Sequence, residues 1–428
     1  MRIHELSLKN FRGFAEREFR FNEPLTLVVG ENGSGKTCLL EGLCVALGGW
    51  LYGFDGLESQ DKRNFIKADH RKIISKVNNA LLEQVPIEVR CEATLPTGAT
   101  VTWGRQLTSL KGKANYGELI EPRKVAEAYS KKIYEGNDEE IILPIVAYYS
   151  AARFRNEPIK IEQIIKKDKV RLDGYTGALK SSNSINDALN FIDRLAYLAY
   201  RDDDQDALAK MNAITNAIKK SLDSVSPNID IFYNLKLAEF CVKTGAGEIK
   251  PYTLFSDGYR GVTSLIIDIC RRIMALNPQL GESAVNETSG VILIDEIDLH
   301  LHPRWQQSIL DNLVRIFPKL QFIITTHAPS VIQSVKKDNL LILDGENAFY
   351  PSQNIYGRDV NSILTDILGV KTRPEAIEQK FSSIYRHIDA GELEDAAQKT
   401  SELEQIVGGN DPELNGIKVT IDLESLED

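Results

Sequence analysis

Leu25-Thr26-Leu27-Val28-Val29 runs directly into Gly30-Glu31-Asn32-Gly33-Ser34-Gly35-Lys36-Thr37, and the join between the two decides how the chain folds. The apolar run predicts a strand buried on both faces. The octad fits a phosphate-binding loop, with a helix expected from Lys36 to Leu47. Its glycines let the backbone wrap phosphates with N–H groups pointing inward, and the helix N-terminus adds positive potential. Asn32, Gly33, Ser34 and Gly35 form that wrap. Lys36 is placed to reach β- and γ-phosphates, and Thr37 to set its hydroxyl on Mg²⁺. A glycine-rich turn that binds nothing needs neither flanking element.

Further strands are expected at 2–9, at 86–95 and 99–107 as a hairpin turning through Pro96-Thr97-Gly98, and at Ile142–Tyr149. Residues 155–225 read as mostly helical, with Ile185, Leu189, Ile192 and Leu195 at helical spacing. Strands return at 229–243, turning through Gly245-Ala246-Gly247, and a helix follows Ser256. The last third alternates strand and helix: Val291–Asp295, Pro303–Phe317, Phe322–Thr326, Leu340–Asp344. That alternation is a parallel α/β signal. Two helices broken at Gly391 are expected between Pro374 and Val407. The implied division is 1–154, 155–228 as a helical insert, 229–350, and 351–428 as a helical, acidic tail expected to bind a partner.

The chain has 428 residues, 43% hydrophobic and 26% charged, enough for one large or two modest domains with a full core. Its formal charge of −10 is concentrated: residues 389–428 hold twelve acids and two bases, and the remaining 388 residues balance at 49 against 49. An acidic protein is a poor whole-surface DNA binder, while a neutral body leaves room for a local basic patch. No apolar run of about 18 residues occurs, so no membrane partner is expected. The opening Met1–Phe14 alternates like a strand and lacks a signal peptide's apolar core. Five scattered cysteines without CxxC spacing argue against a disulfide framework or zinc ribbon and for a cytoplasmic location.

Val291-Ile292-Leu293-Ile294 ends in Asp295-Glu296, two acids where a buried strand should not carry them without a use. Asp295 is the expected outer-sphere Mg²⁺ partner and Glu296 the acceptor that polarises an attacking water. His327, after Phe322–Thr326, is placed to hydrogen-bond a γ-phosphate and sense its loss. Ser256 and Asp257 open a helix as N-cap and first-turn acid. The functional alternative is a second anion site, in which Ser256 and Gly258 meet the γ-phosphate held by another subunit. His300 and His302 lack a third metal ligand nearby. Lys160, Lys166, Lys167, Lys169 and Arg171 could contact nucleic-acid phosphates or form one solvated helix face.

GENGSGKT, FSDGY, VILIDE and TTH stand in the order of Walker A, signature, Walker B and switch histidine, and so resemble the ABC-type ATPases. LKNFRGF and DEIDLHLHPRWQ are similar to the SMC, RecF and OLD branch, in which an N-terminal arginine, here Arg12, lies near the nucleotide. PIVAYYSAAR and the tail from YGRDVNSILTDIL onward resemble the PtuA ATPases of Septu antiphage systems, which work beside an HNH nuclease subunit. The resemblance implies an α/β ABC-ATPase head with a mixed central sheet, an antiparallel β subdomain, a helical insert and a helical tail. It implies ATP and Mg²⁺, a homodimer or higher oligomer around nucleotide, and a nuclease partner that brings nucleic acid to the complex. It also makes Asp298–Pro303 the D-loop that touches the partner subunit. The signature departs from the family in carrying Asp257-Gly258 for two glycines and Tyr259 for glutamine, which implies slow turnover. A Q-loop glutamine is not evident: Gln106 lies in the hairpin and Tyr149–Arg153 fills the interval. About 100 residues follow His327, too few for a Toprim domain, and no His-Asn-His constellation appears, so nuclease chemistry is expected elsewhere. The alternatives are a RecF-like DNA-repair clamp and a transporter ATPase subunit.

Overall fold

In the computed structural model, residues 1–76, 78–109, 119–136, 139–154, 171–180, 186–223, 229–237, 239–243 and 247–427 are described. They form two compact units, Met1–Ile363 and Leu364–Asp428. Among the described residues no helix is long and apolar enough to cross a membrane.

The first unit is built on a six-stranded mixed sheet in the order Asn347–Phe349, Leu340–Asp344, Leu25–Gly30, Leu320–Thr325, Gly290–Ile294, Ile145–Tyr149. Every neighbouring pair is parallel except the Leu340–Asp344 hairpin with Asn347–Phe349. Four of the strands are buried at every residue, which is why they read as continuous apolar runs. Register sets Ile294 opposite both Ile324 and Tyr149, and Thr325 opposite Val28. The carboxyl ends therefore finish together, and the residues that follow them share one edge.

An antiparallel sheet, Phe14–Arg20, Arg2–Phe11, Ile87–Thr94 and Thr100–Leu107 in that order, covers the helix Lys36–Leu51. Leu8 lies so close to Gly42 that a Cβ there would sit 2.8 Å from Leu8 Cδ2, and Trp103 Nε1 donates to the Ala46 carbonyl at 3.0 Å. Gln321 joins the two sheets by accepting from Ile3 N and donating to Ile3 O, both at 2.7 Å.

Several expectations are corrected. The helix expected at Pro303–Phe317 is two, Pro303–Gln306 and Ile309–Ile316, because Ser308 leaves helical backbone geometry (φ −120°, ψ −10°). The stretch 229–243 folds as Asp230–Asn234 and Glu239–Lys243, with the turn at Asn234, whose side chain accepts from Lys236 N and Leu237 N; Ile249–Pro251 adds a third strand. The expected turn residues Gly245 and Ala246 lie outside the described residues. Strand Phe14–Arg20 and helices Ile120–Glu135 and Pro412–Glu427 were not anticipated. In the 155–225 segment, Asn186–Arg201 and Gln205–Leu222 are helices; Ile185 falls outside the described residues.

The second unit contains helices Glu375–Asp389, Leu393–Val407 and Pro412–Glu427 around a core of Phe381, Ile384, Ile388, Ala396, Leu403, Leu414, Ile417 and Ile421. Arg373 clasps it: its guanidinium pairs with Asp411 at 2.8 Å and Glu413 at 3.0 Å and lies 4.3 Å from the Phe381 ring centroid.

Candidate active site

Gly33 (φ 87°) and Gly35 (φ 99°) hold the left-handed conformations that wrap the loop. No side chain fits at Gly35 or at Gly30: a Cβ on Gly35 would lie 2.4 Å from Phe14 Cζ, and one on Gly30 would lie 2.4 Å from the Leu343 carbonyl oxygen. Lys36 Nζ donates to the carbonyls of Gly30 at 2.8 Å and Glu31 at 2.9 Å. Burial lowers the Lys36 pKa, against the opposing fields of Asp295, Glu296 and Asp298. Ser34 Oγ is buried and has no hydrogen-bond partner among the described residues.

Thr37 Oγ1 donates to Asp295 Oδ2 at 2.8 Å, so the hydroxyl and carboxylate expected at a metal are in contact. Thr325 Oγ1 donates to Asp295 Oδ1 at 2.6 Å and accepts from Glu296 N at 2.8 Å. Asp298 is held in a similar way at the neighbouring strand end, accepting from Thr326 Oγ1 at 2.6 Å and His327 N at 3.4 Å. Burial lowers the His327 pKa and Lys36 lowers it further; Asp298, Glu296 and Asp295 oppose them. The loop, both acids and His327 thus occupy one sheet edge. The two threonine hydroxyls that order it were not singled out from sequence; the only signal was the pair of threonines just before His327.

Ser256 is exposed at the start of the helix Asp257–Leu276, and its side chain makes no capping hydrogen bond. The expectation that it caps its own helix is therefore corrected. Asp257 is exposed and pairs with Arg260. Gly258 is buried so closely against Asp298–Pro303 that a Cβ would lie 2.5 Å from the His300 carbonyl oxygen. Tyr259, in the glutamine position, packs edge-on to Trp305 with centroids 4.5 Å apart.

Deeper in the same helix, Asp268 accepts from Tyr149 Oη at 2.8 Å, Arg271 Nη2 at 2.6 Å and Arg272 Nε at 2.7 Å. Burial alone would raise the Asp268 pKa; Arg271 and Arg272 overturn it and hold the carboxylate far below its usual range. The Tyr149 carbonyl accepts from Asp295 N at 2.8 Å, so this network links the helix Asp257–Leu276 to the acidic strand end. Sequence reading missed it, although charges inside an apolar helix were the available sign.

Arg12 is set in an ion cluster: it meets Asp69 at 3.0 Å and Glu41 at 3.4 Å, and Arg63 joins the same carboxylates. Glu41 lies on the helix that follows the loop. His302 Nδ1 accepts from Arg304 N at 3.3 Å as a helix cap, and neither His300 nor His302 joins a trio of ligands among the described residues. Gln106 donates to Glu88 across the hairpin at 2.7 Å. Of the basic run, Lys160, Lys166, Lys167 and Lys169 lie outside the described residues; Arg171 Nε donates to the Leu276 carbonyl at 2.8 Å.

The family model of the AAA domain matches residues 5–226, more than half of the chain, and that of the AAA ATPase domain matches residues 160–332. The chain belongs to the AAA domain family. It is a nucleotide-binding ATPase. This AAA protein is similar to the retron Vc95 probable ATPase of Vibrio cholerae, 26% identical over 85% of this chain and 78% of that one. Septu protein PtuA of Bacillus thuringiensis is 25% identical over 90% of this chain and 89% of its own. A solved SMC head bound to the C-winged helix domain of ScpA shares 16% identity with a TM-score of 0.48, covering 83% of this chain and 99% of that chain. The resemblance to PtuA ATPases read from the motifs and tail therefore holds over nearly the whole length.

The AAA site fits a triphosphate and a hard cation. Gly30 and Gly35 leave no space for side chains, Ser34 offers an unpaired buried hydroxyl, and Thr37 and Asp295 present the oxygen ligands Mg²⁺ takes.

Proposed function

We propose that two copies of this chain close around ATP, and that the closed pair regulates a separate HNH nuclease subunit in antiphage defence. Asn32, Gly33, Ser34, Gly35 and Lys36 would hold the phosphates, and Thr37 and Asp295 would hold Mg²⁺, whose charge would offset that of the phosphates. Glu296 takes the proton of the attacking water. His327 stands where it hydrogen-bonds the terminal phosphate. Arg12 braces the loop's helix through Glu41. Ser256 and Gly258 serve the nucleotide of the other copy.

The observation that carries this reading is Ser256, an exposed hydroxyl at a helix start that leaves its own N–H groups uncapped. The similarity to Septu PtuA supports the nuclease partner. Glu296→Gln tests closure. Hydrolysis should fall about 100-fold or more, and sizing with ATP should show dimers that persist. A variant that remains monomeric with ATP refutes the paired mechanism. Co-purification with an HNH protein encoded beside this chain tests the partner; failure to associate argues against it.

A further inference from the structure

Strand Phe14–Arg20 turns three residues inward: Phe14, Arg17 and Phe19. Arg17 lies opposite Leu8 in the ladder, and Leu8 packs on the helix that follows the glycine loop. A cation therefore occupies a core position, 8% exposed. Its Cζ lies 5.3 Å from the Phe14 ring centroid and 5.7 Å from that of Phe19. Aromatic faces attract a guanidinium but offer its N–H groups no acceptor. Arg17 Nε and Nη2 are shielded from water and make no hydrogen bond among the described residues. Burial lowers the Arg17 pKa, and the carboxylate opposing that shift is Glu346. No ion pair to Arg17 forms among the described residues.

The surroundings locate this cation beside the loop. Phe14 Cζ abuts Gly35, the residue that opens the loop's helix, while Glu346 follows the strand whose Leu343 closes on Gly30. Buried donors without acceptors are costly to retain unless something completes them. Phe14 is itself buried, with its ring taken up by Arg17, Phe19 and Gly35, so it presents no open face for a base. Planar guanidinium donors match phosphoryl oxygens.

We propose that Arg17 is a further nucleotide-binding residue, completed by phosphoryl oxygens of the nucleotide held in the glycine loop. This rests on the nucleotide-binding reading of that loop.

The test uses the full chain with Arg17→Met, which fills the aromatic slot without charge, and Arg17→Gln, which keeps donors but not the cation and serves should the first variant not fold. Thermal unfolding is measured without ligand, and affinities are measured for ATP, ADP and adenosine. Without ligand, Arg17→Met should melt no lower than wild type, because an unsatisfied buried cation is gone. ATP and ADP should bind it about tenfold or more weakly, as loss of a charge-assisted contact implies, with adenosine unaffected. Arg17→Gln should show the same selective loss. Lower ligand-free melting with unchanged ATP and ADP affinity makes Arg17 structural and overturns the proposal. An equal loss for adenosine overturns the phosphate assignment. A wild-type chain that binds neither ATP nor ADP overturns the loop reading itself, and Arg17's role with it.

Discussion

Gly35 carries two constraints at once: a left-handed φ of 99° and a Phe14 ring atom 2.4 Å from where its Cβ would be. Gly35→Ala should cost about 1–3 kcal/mol of stability by chemical denaturation and abolish ATP binding, because either the loop or the ring must move. An unchanged ATP affinity would show that the loop tolerates a side chain. This glycine was legible in sequence because backbone geometry alone fixes its spacing from Lys36. Asp295 was legible too, as an acid ending an apolar strand. The Thr325 hydroxyl that positions it was not, since that contact depends on two strands 30 residues apart meeting in register. Arg17 lay hidden for a related reason. Glu16, Arg17 and Glu18 look like solvated charges until the strand's inward face is known.

At the scale of elements, the helix Asp257–Leu276 meets the sheet through one carboxylate, Asp268, shared by two arginines and a tyrosine. Asp268→Asn leaves both guanidinium groups without their anion and should cost about 3–5 kcal/mol. The linkage has a definite sign. The folded carboxylate titrates below the unfolded one, so its contribution is present above about pH 4 and is lost as pH falls toward the folded value. Urea unfolding followed between about pH 6 and pH 3 should therefore steepen in wild type and flatten in the variant; parallel curves would remove Asp268 as the cause. The apolar strands were legible because their runs are short and sharply bounded, Leu25–Val29 by Pro24 and Gly30 and Val291–Ile294 by Gly290 and Asp295. The break at Ser308 was not, since Pro303–Phe317 keeps helical periodicity across it. Helix Pro412–Glu427 was obscured because apolar residues occur on more than one face: Leu414, Ile417 and Ile421 are buried while Val419, Leu423 and Leu426 are exposed.

Across the whole molecule, the two compact units have separate cores. Leu414 is fully buried in the smaller one. Leu414→Ala should destabilise that unit by about 2–5 kcal/mol in calorimetry while ATP affinity stays at the wild-type value; a parallel fall in ATP affinity would tie the two units into one cooperative structure. The tail's sequence announced its charge more plainly than its fold. That charge has a physical consequence. Residues 389–428 hold twelve acids and two bases, so any assembly of several copies gathers like-charged segments. Their mutual repulsion reaches about 30 Å in dilute buffer and about 8 Å at physiological ionic strength. Salt is therefore an external dial on clustering.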